Sequence, residues 1–233
     1  MSLAYSPMNA PRRGPTLLCY ITDRLQFPGN EAERQRRVLA RIAECAGAGV
    51  DYIQLREKDL SARALEVLAG KAVAAIPSGS STRLLINSRA DVALACGAHG
   101  VHLRAGSLPA SEVRAIWART GRSGPIIGVS THSAAEVASA EAHGADFVVF
   151  GPVFEKSGAM NPAGLDQLSA VCRRPPVLGS PMPVLALGGV TLENAHSCMQ
   201  AGAAGIAGIR LFQQGDAAEI VRKVRAISLA TLM

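Results

Sequence analysis

Short apolar runs alternate along the chain with longer segments of helical periodicity, and the alternation repeats eight times. The runs at 17–22, 51–55, 83–86, 101–103, 125–129, 147–150, 183–187 and 205–209 read as strands. Between them, 31–48, 61–76, 91–96, 109–119, 134–143, 165–172 and a segment around 193–201 read as helices, and 216–226 closes the series. Ser61 is placed to cap the second helix, and Pro109 to open the fourth within its first turn. The strands are apolar throughout rather than alternating, as expected where both faces are buried. The pattern predicts a closed parallel sheet wrapped by helices, a (β/α)8 TIM barrel of the α/β class in a single domain over 16–230. The first fifteen residues, MSLAYSPMNAPRRGP, predict a loosely ordered arm without the apolar stretch of a secretory signal.

Small residues recur before strands, in CAGAGVDYI, ACGAHGVHL, EAHGADFVV and QAGAAGIAG. Each reads as a helix end turning through glycine into the next strand, which supports the fold and carries no chemistry. The stretch 183–212 is different. Its first strand hands over to a helix through Gly188-Gly189, and its second ends in Gly208-Ile209-Arg210. Glycines at such turns let backbone N–H groups approach an anion, and in (β/α)8 barrels the loops after the last two strands are the usual phosphate grip. Gly188, Gly189, Gly208, Ile209 and Arg210 are therefore the predicted phosphate-binding residues.

Composition narrows the function by exclusion. The 233 residues carry a net charge of +6, but arginine and lysine are spread along helices and strand ends, without the interleaved aromatics of a nucleic-acid surface. Neither a nucleic-acid nor a membrane partner is expected, since no apolar run is long enough to span a bilayer. Five scattered cysteines, odd in number and without C-x-x-C spacing, favour a reducing, cytoplasmic setting and argue against a zinc site. A positive potential near a pocket would draw in phosphorylated ligands.

Chemistry in such a barrel lies at the C-terminal ends of the strands. Those ends carry Gln54, Arg56, Glu57 and Lys58 after strand two and Asn87, Ser88 and Arg89 after strand three. Strand four adds His102 and Arg104, strand five Ser130, Thr131 and His132, and strand eight Arg210. Arg56 and Lys58, two apart in strand register, point to one side, a planar fork beside a point charge. Taken alone, Arg56-Glu57-Lys58-Asp59 reads equally well as a surface ion-pair cluster.

QLREKDLSARAL, LLINSRADVALACGAHGVHL, IGVSTHSAAEVASAEAHGADFVVFGPVF and PVLALGGV with AGAAGIAGI together resemble the thiamine phosphate synthase/TenI superfamily, over roughly 17–226 and in order. The resemblance implies one of two activities. The synthase branch joins an aminopyrimidine methyl diphosphate to a thiazole phosphate with release of diphosphate. The TenI-type branch is a tautomerase that shifts a proton on a thiazole carboxylate phosphate to give its aromatic isomer.

Departures from the synthase pattern favour the second branch. The synthase holds Mg²⁺ with two aspartates, where this chain has Ser88 and Ser107, and a hydroxyl does not replace an ionised carboxylate for that hard cation. Asp91 is the nearest acid and reads as a helix N-terminal residue. The Thr/Thr/Lys diphosphate clamp after strand six is replaced by Glu155-Lys156-Ser157-Gly158, with Lys156 the nearest substitute. Asn87-Ser88-Arg89, Ser130-Thr131-His132-Ser133 and Phe150-Gly151-Pro152-Val153-Phe154-Glu155 match the TenI-type motifs. The resemblance then implies His132 as general acid/base, a role that suits an imidazole near neutral pH; capping the fifth helix is its structural alternative. It implies Gln54, Arg56, Lys58, Asn87, Arg89 and Ser130 as substrate-binding residues, with Arg56 and Lys58 on the substrate carboxylate. No metal and no cofactor are expected, Mg²⁺ belonging to the synthase alternative alone. The expected partner is a small phosphorylated thiazole. A third alternative is a non-catalytic, phosphate-sensing relative, and a homodimer is left open.

Overall fold

The computed structural model describes residues 16–154, 162–179 and 181–230. Eight parallel strands close into a barrel in sequence order: β1 (Leu17–Ile21), β2 (Tyr52–Leu55), β3 (Arg83–Asn87), β4 (Gly100–Leu103), β5 (Ile126–Thr131), β6 (Phe147–Phe150), β7 (Val184–Ala186) and β8 (Gly205–Gly208), with β8 pairing back to β1. Around them lie α1 (Glu31–Gly47), α2 (Ala62–Ala75), α3 (Ala90–Cys96), α4 (Ala110–Ala118), α5 (Ala134–Ala142), α6 (Gly164–Arg173), α7 (Ala195–Ala201), α8 (Arg210–Gln214) and α9 (Ala217–Ala230). The predicted TIM barrel is the observed fold. The predicted arm at 1–15 lies outside the described residues, as do Glu155, Lys156, Ser157 and Gly158 of the loop after β6.

The alternation of side chains along each strand builds two cores. Leu18 and Tyr20 face the helices with Ile53, Leu55, Leu84 and Ile86, forming the layer between sheet and helical ring. Cys19, Ile21, Leu85, Phe147, Val149, Leu185 and Ala207 turn inward and fill the barrel. Tyr52 stacks on Phe147 at 4.5 Å between ring centroids and closes the lower part of that interior. Above this apolar plug the inward positions become polar, and that change positions the site.

Helix starts follow local chemistry. Ser61 caps α2 by accepting from the Ala64 amide, as predicted. Asn30 and Glu33 form a reciprocal capping box at α1. Pro109 differs from expectation. Its extended backbone (φ −58°, ψ 148°) makes it the N-cap of α4, and its carbonyl accepts from Glu112 and Val113, so the helix begins one residue later. The strand expected over 205–209 stops at Gly208, because Ile209 turns into the short α8 and Arg210 is that helix's first residue. Gln213 of α8 anchors this turn, accepting from the Tyr20 hydroxyl at 3.2 Å and donating to the Asp23 carbonyl at 2.8 Å.

Candidate functional site

A cavity of about 1010 Å³ opens at the C-terminal ends of the strands. Gln54, Arg56 and Lys58 reach it from β2, Asn87 from β3, Ser130 and His132 from β5, and Gly188, Gly189, Gly208, Ile209 and Arg210 from the last two turns. Eleven of the twelve predicted site residues thus line one space. Arg89 does not. Its guanidinium is turned to the exposed Asp91, with contacts of 2.8 and 2.5 Å, and this pair sits at the start of α3.

The fate of Arg56-Glu57-Lys58-Asp59 follows from strand alternation. Glu57 faces the sheet–helix layer, where it accepts from the Thr22 hydroxyl at 2.6 Å and from Arg24 Nη1 at 3.1 Å. Asp59 accepts from Nη1 and Nη2 of Arg24 at 2.7 and 2.6 Å, and Glu31 accepts from its Nε at 2.8 Å. Burial pushes the Glu57 carboxyl up, opposed by its bonds from Thr22 and Arg24. Both acids of the tetrapeptide are therefore committed to Arg24, more than thirty residues away, and its two cations are left facing the cavity. The Thr22 hydroxyl also accepts from the Arg56 amide at 2.9 Å, which ties this strand end to its neighbour. Lys58 is lowered from the usual lysine value by Arg56, then by burial, then by Arg104. No carboxylate lines the cavity among the described residues, whereas Arg56, Lys58, Arg104 and Arg210 all do.

Beneath the cations lies a polar layer. Gln54 donates to Asn87 Oδ1 at 2.8 Å, and His102 Nε2 lies 3.0 Å from Ser130 Oγ. His102 is buried, 1 % exposed, and its Nδ1 has no hydrogen-bond partner among the described residues. A buried N–H without an acceptor costs more than a bare lone pair, so the proton belongs on Nε2, which donates to Ser130. The Ser130 hydroxyl is then turned to the cavity as a donor. Gly128, His102's neighbour in the sheet, leaves room for the ring: a Cβ there would stand 2.7 Å from Nδ1 and 2.5 Å from Phe147. Burial, then the charge of Arg56, pushes the His102 imidazole down to about 3, so it stays neutral.

His132 follows β5 on the rim. Its Nδ1 lies 2.5 Å from the Gly151 carbonyl, which only accepts, so Nδ1 carries a proton and in the neutral ring Nε2 is the free base. The cap of α5 is made by Ser133, which accepts from the Glu136 amide at 3.2 Å. His132 contributes only its backbone N–H there, to Glu136 Oε2. Its side chain is left for the cavity.

At the opposite lip Gly188 has a left-handed backbone (φ 96°), and a Cβ would come within 2.5 Å of Pro152. Gly189 is also left-handed (φ 64°), its carbonyl accepting from Asn194 Nδ2 at 2.9 Å. The amides of Gly189, Val190 and Ile209 donate to no acceptor among the described residues. Such unpaired N–H groups, at glycine turns beside Arg210, suit a phosphate.

The positions that the resemblance gives to magnesium ligands do not fit the ion. Ser88 is left-handed (φ 60°) and its amide is used on the His102 carbonyl at 2.9 Å. The Ser107 hydroxyl donates to the carbonyl of Arg104 at 2.7 Å, within its own turn. Asp91 is neutralised by Arg89. No group of three acidic, histidine or cysteine side chains suited to a metal occurs among the described residues.

Arg104, expected only on the rim, lines the cavity, and Gly151, Pro152, Leu187, Val190 and Thr191 line it without having been expected as site residues. Strand-end register is the signal that finds Arg104. The apolar wall residues carry no chemical signature.

Fold and site together define a (β/α)8 barrel protein with a cation-lined cavity at the C-terminal ends of its strands. The chain matches the family described as thiamine monophosphate synthase over residues 19–212, and it belongs to that family, one of thiamine biosynthesis. A relative from Geobacter sulfurreducens, provisionally named a thiamine-phosphate synthase, is 42% identical over 193 residues, covering 82% of this chain and 83% of its own. The thiamine-phosphate synthase of Chlorobium luteolum is 35% identical over 228 residues, covering 96% and 97%. Among solved structures, the thiamine phosphate pyrophosphorylase of Pyrococcus furiosus superimposes with a TM-score of 0.72 at 28% identity, over 93% of this chain and 97% of that one. No helix among the described residues is long and apolar enough to cross a membrane.

Proposed function

We propose that this chain is a thiazole phosphate carboxylate tautomerase that works without a metal. The observation that carries the reading is His132, fixed through Nδ1 to Gly151, with Nε2 free at the rim of a cavity that, among the described residues, offers cations and no carboxylate. The phosphate of the substrate would sit on the amides of Gly189 and Ile209 beside Gly208 and Arg210. Arg56 and Lys58 would take the carboxylate, and Gln54, Asn87 and Ser130 the edge of the ring. His132 Nε2 would remove a proton from one ring position and return it at another, so atoms and charge balance without a further reactant. Isomerisation of the thiazole carboxylate phosphate in excess EDTA is the expected result. Absence of turnover with a folded, ligand-binding protein would remove the reading.

The names of the relatives favour a second reading, the coupling of a pyrimidine methyl diphosphate to thiazole phosphate. Gln54, Arg56, Lys58, Asn87 and Ser130 are compatible with it. The serines at 88 and 107 speak against it, since neutralising a departing diphosphate is the main electrostatic demand of that reaction. Formation of thiamine phosphate with Mg²⁺ at an enzyme-like rate would decide for the synthase.

A further inference from the structure

Six arginines of the described residues (Arg24, Arg41, Arg89, Arg114, Arg174 and Arg225) pair with an acid, and none of the six lines the cavity. Arg104 is the reverse: it lines the cavity and forms no ion pair among the described residues. Its place follows from register. His102 faces the barrel interior, and Arg104, two residues on, leaves the strand end on the same side. On β2 the same step leads from inward-facing Gln54 to Arg56 and on to Lys58. Since β2 and β4 flank β3, these cations converge above Asn87.

The turn that carries Arg104 is closed on its own backbone. Its carbonyl accepts from the Ser107 amide at 3.2 Å and from the Ser107 hydroxyl at 2.7 Å. The side chain that would stand as a magnesium-binding acid in the synthase pattern therefore fixes the peptide of a cation. In a ring of eight strands β4 lies across from β8, whose Gly208–Arg210 turn forms part of the phosphate lip. The mouth thus presents positive charge on two opposite sides, with no carboxylate between them among the described residues.

We propose that Arg104 is a specificity residue for a ligand carrying a second anionic group, a ring carboxylate, and that its guanidinium supplies from the chain the positive charge a divalent ion would otherwise bring to that side. The lowering of Lys58 by Arg56 and Arg104 agrees with this, because cations brought together without an acid are relieved by an incoming anion. A guanidinium also presents a planar fork that matches a carboxylate. The identity of the carboxylate rests on the tautomerase reading, whereas the demand for a second anion rests on the charges alone.

Calorimetry in excess EDTA tests it without any turnover, with thiazole phosphate and its carboxylated form as the two ligands. The wild-type chain is expected to bind the carboxylated ligand at least about tenfold more tightly, a preference that weakens as salt rises. Arg104→Ala should cut that preference at least about threefold, Arg56 and Lys58 keeping the remainder, and change affinity for the plain thiazole phosphate less than about twofold, while Arg104→Lys keeps more of it. The side chain is exposed, so thermal melting of both variants should match wild type. Equal weakening of both ligands, or a wild type with no preference, would overturn the proposal. Failed isomerisation beside an intact, Arg104-dependent preference would sink the reaction and leave this inference standing.

Discussion

His132 and Gly151 are joined across 2.5 Å by an Nδ1–H donor and a backbone carbonyl, which fixes the imidazole between the ends of β5 and β6. Only the other ring nitrogen is left to handle a substrate proton. His132→Ala should therefore lower kcat of the isomerisation by about 100-fold or more and leave KM within a few-fold, the signature of a group used in proton transfer. The residue is exposed, so the melting temperature should hardly move. Steady-state kinetics with a melting control checks this, and an unchanged kcat would move the base elsewhere.

Arg24 is the hidden support of the cationic wall. It is 2 % exposed and holds Glu57, itself 5 % exposed, together with Asp59 and Glu31. Removing the cation leaves Glu57 buried without its partner, a loss that costs about 3–5 kcal/mol. Arg24→Met should show that loss in urea unfolding, and the double variant Arg24→Met/Glu57→Leu should recover much of it. Ligand affinity should fall with Arg24→Met as well, since Glu57 sits between Arg56 and Lys58 in the chain and sets which way they face. A single variant within about 0.5 kcal/mol of wild type would show that the network carries little.

The barrel itself was legible because strands buried on both faces are apolar without interruption, as in FVVF of β6. The glycine lip of the cavity was legible because Gly188-Gly189 follows closely on the apolar run of β7. Other features depend on contacts that no local pattern contains. The neutralisation of Glu57 and Asp59 comes from Arg24 in a separate turn, so the tetrapeptide alone could not separate its acids from its cations. Arg89 reads as a rim cation, yet Asp91 two residues on captures it. The five residues of α8 are too few to show a helical period, so Arg210 looked like a strand end. The lone pair on His102 Nδ1 depends on three strands meeting around Gly128.

His102 gives stability a pH dependence of known sign. Its folded value near 3 lies below the ordinary 6.5, so between those limits the unfolded chain binds a proton that the folded one refuses. Stability must then fall as pH drops from about 6.5 towards 3, with a slope approaching about 1.4 kcal/mol per pH unit. His99, lowered by burial and by Arg83 and Arg122, acts in the same direction. Asp59 and Asp91, held down by Arg24 and Arg89, add to the fall further into acid. Urea midpoints from pH 7 to 5 isolate the histidine, because wild type should lose stability faster than His102→Asn over that range. Parallel curves would show that the ring is free to charge in the folded protein.

The serines at 88 and 107 make the choice between the two reactions testable in reverse. Ser88 sits in the left-handed region, which aspartate tolerates better than most side chains, and Ser107 lies exposed on its turn. Ser88→Asp/Ser107→Asp should therefore fold and provide the pair of charged oxygens that Mg²⁺ requires. With Mg²⁺ and diphosphate at about 100 times their dissociation constant, linkage gives about 2.7 kcal/mol of stabilisation, or about 5–10 °C in melting temperature for a chain of this size. Wild type should show no Mg²⁺-dependent part of any diphosphate shift, since its cations bind the anion alone. A saturable Mg²⁺-dependent rise in the wild-type chain would show that the serines do not exclude the ion, and would return the coupling reaction to first place.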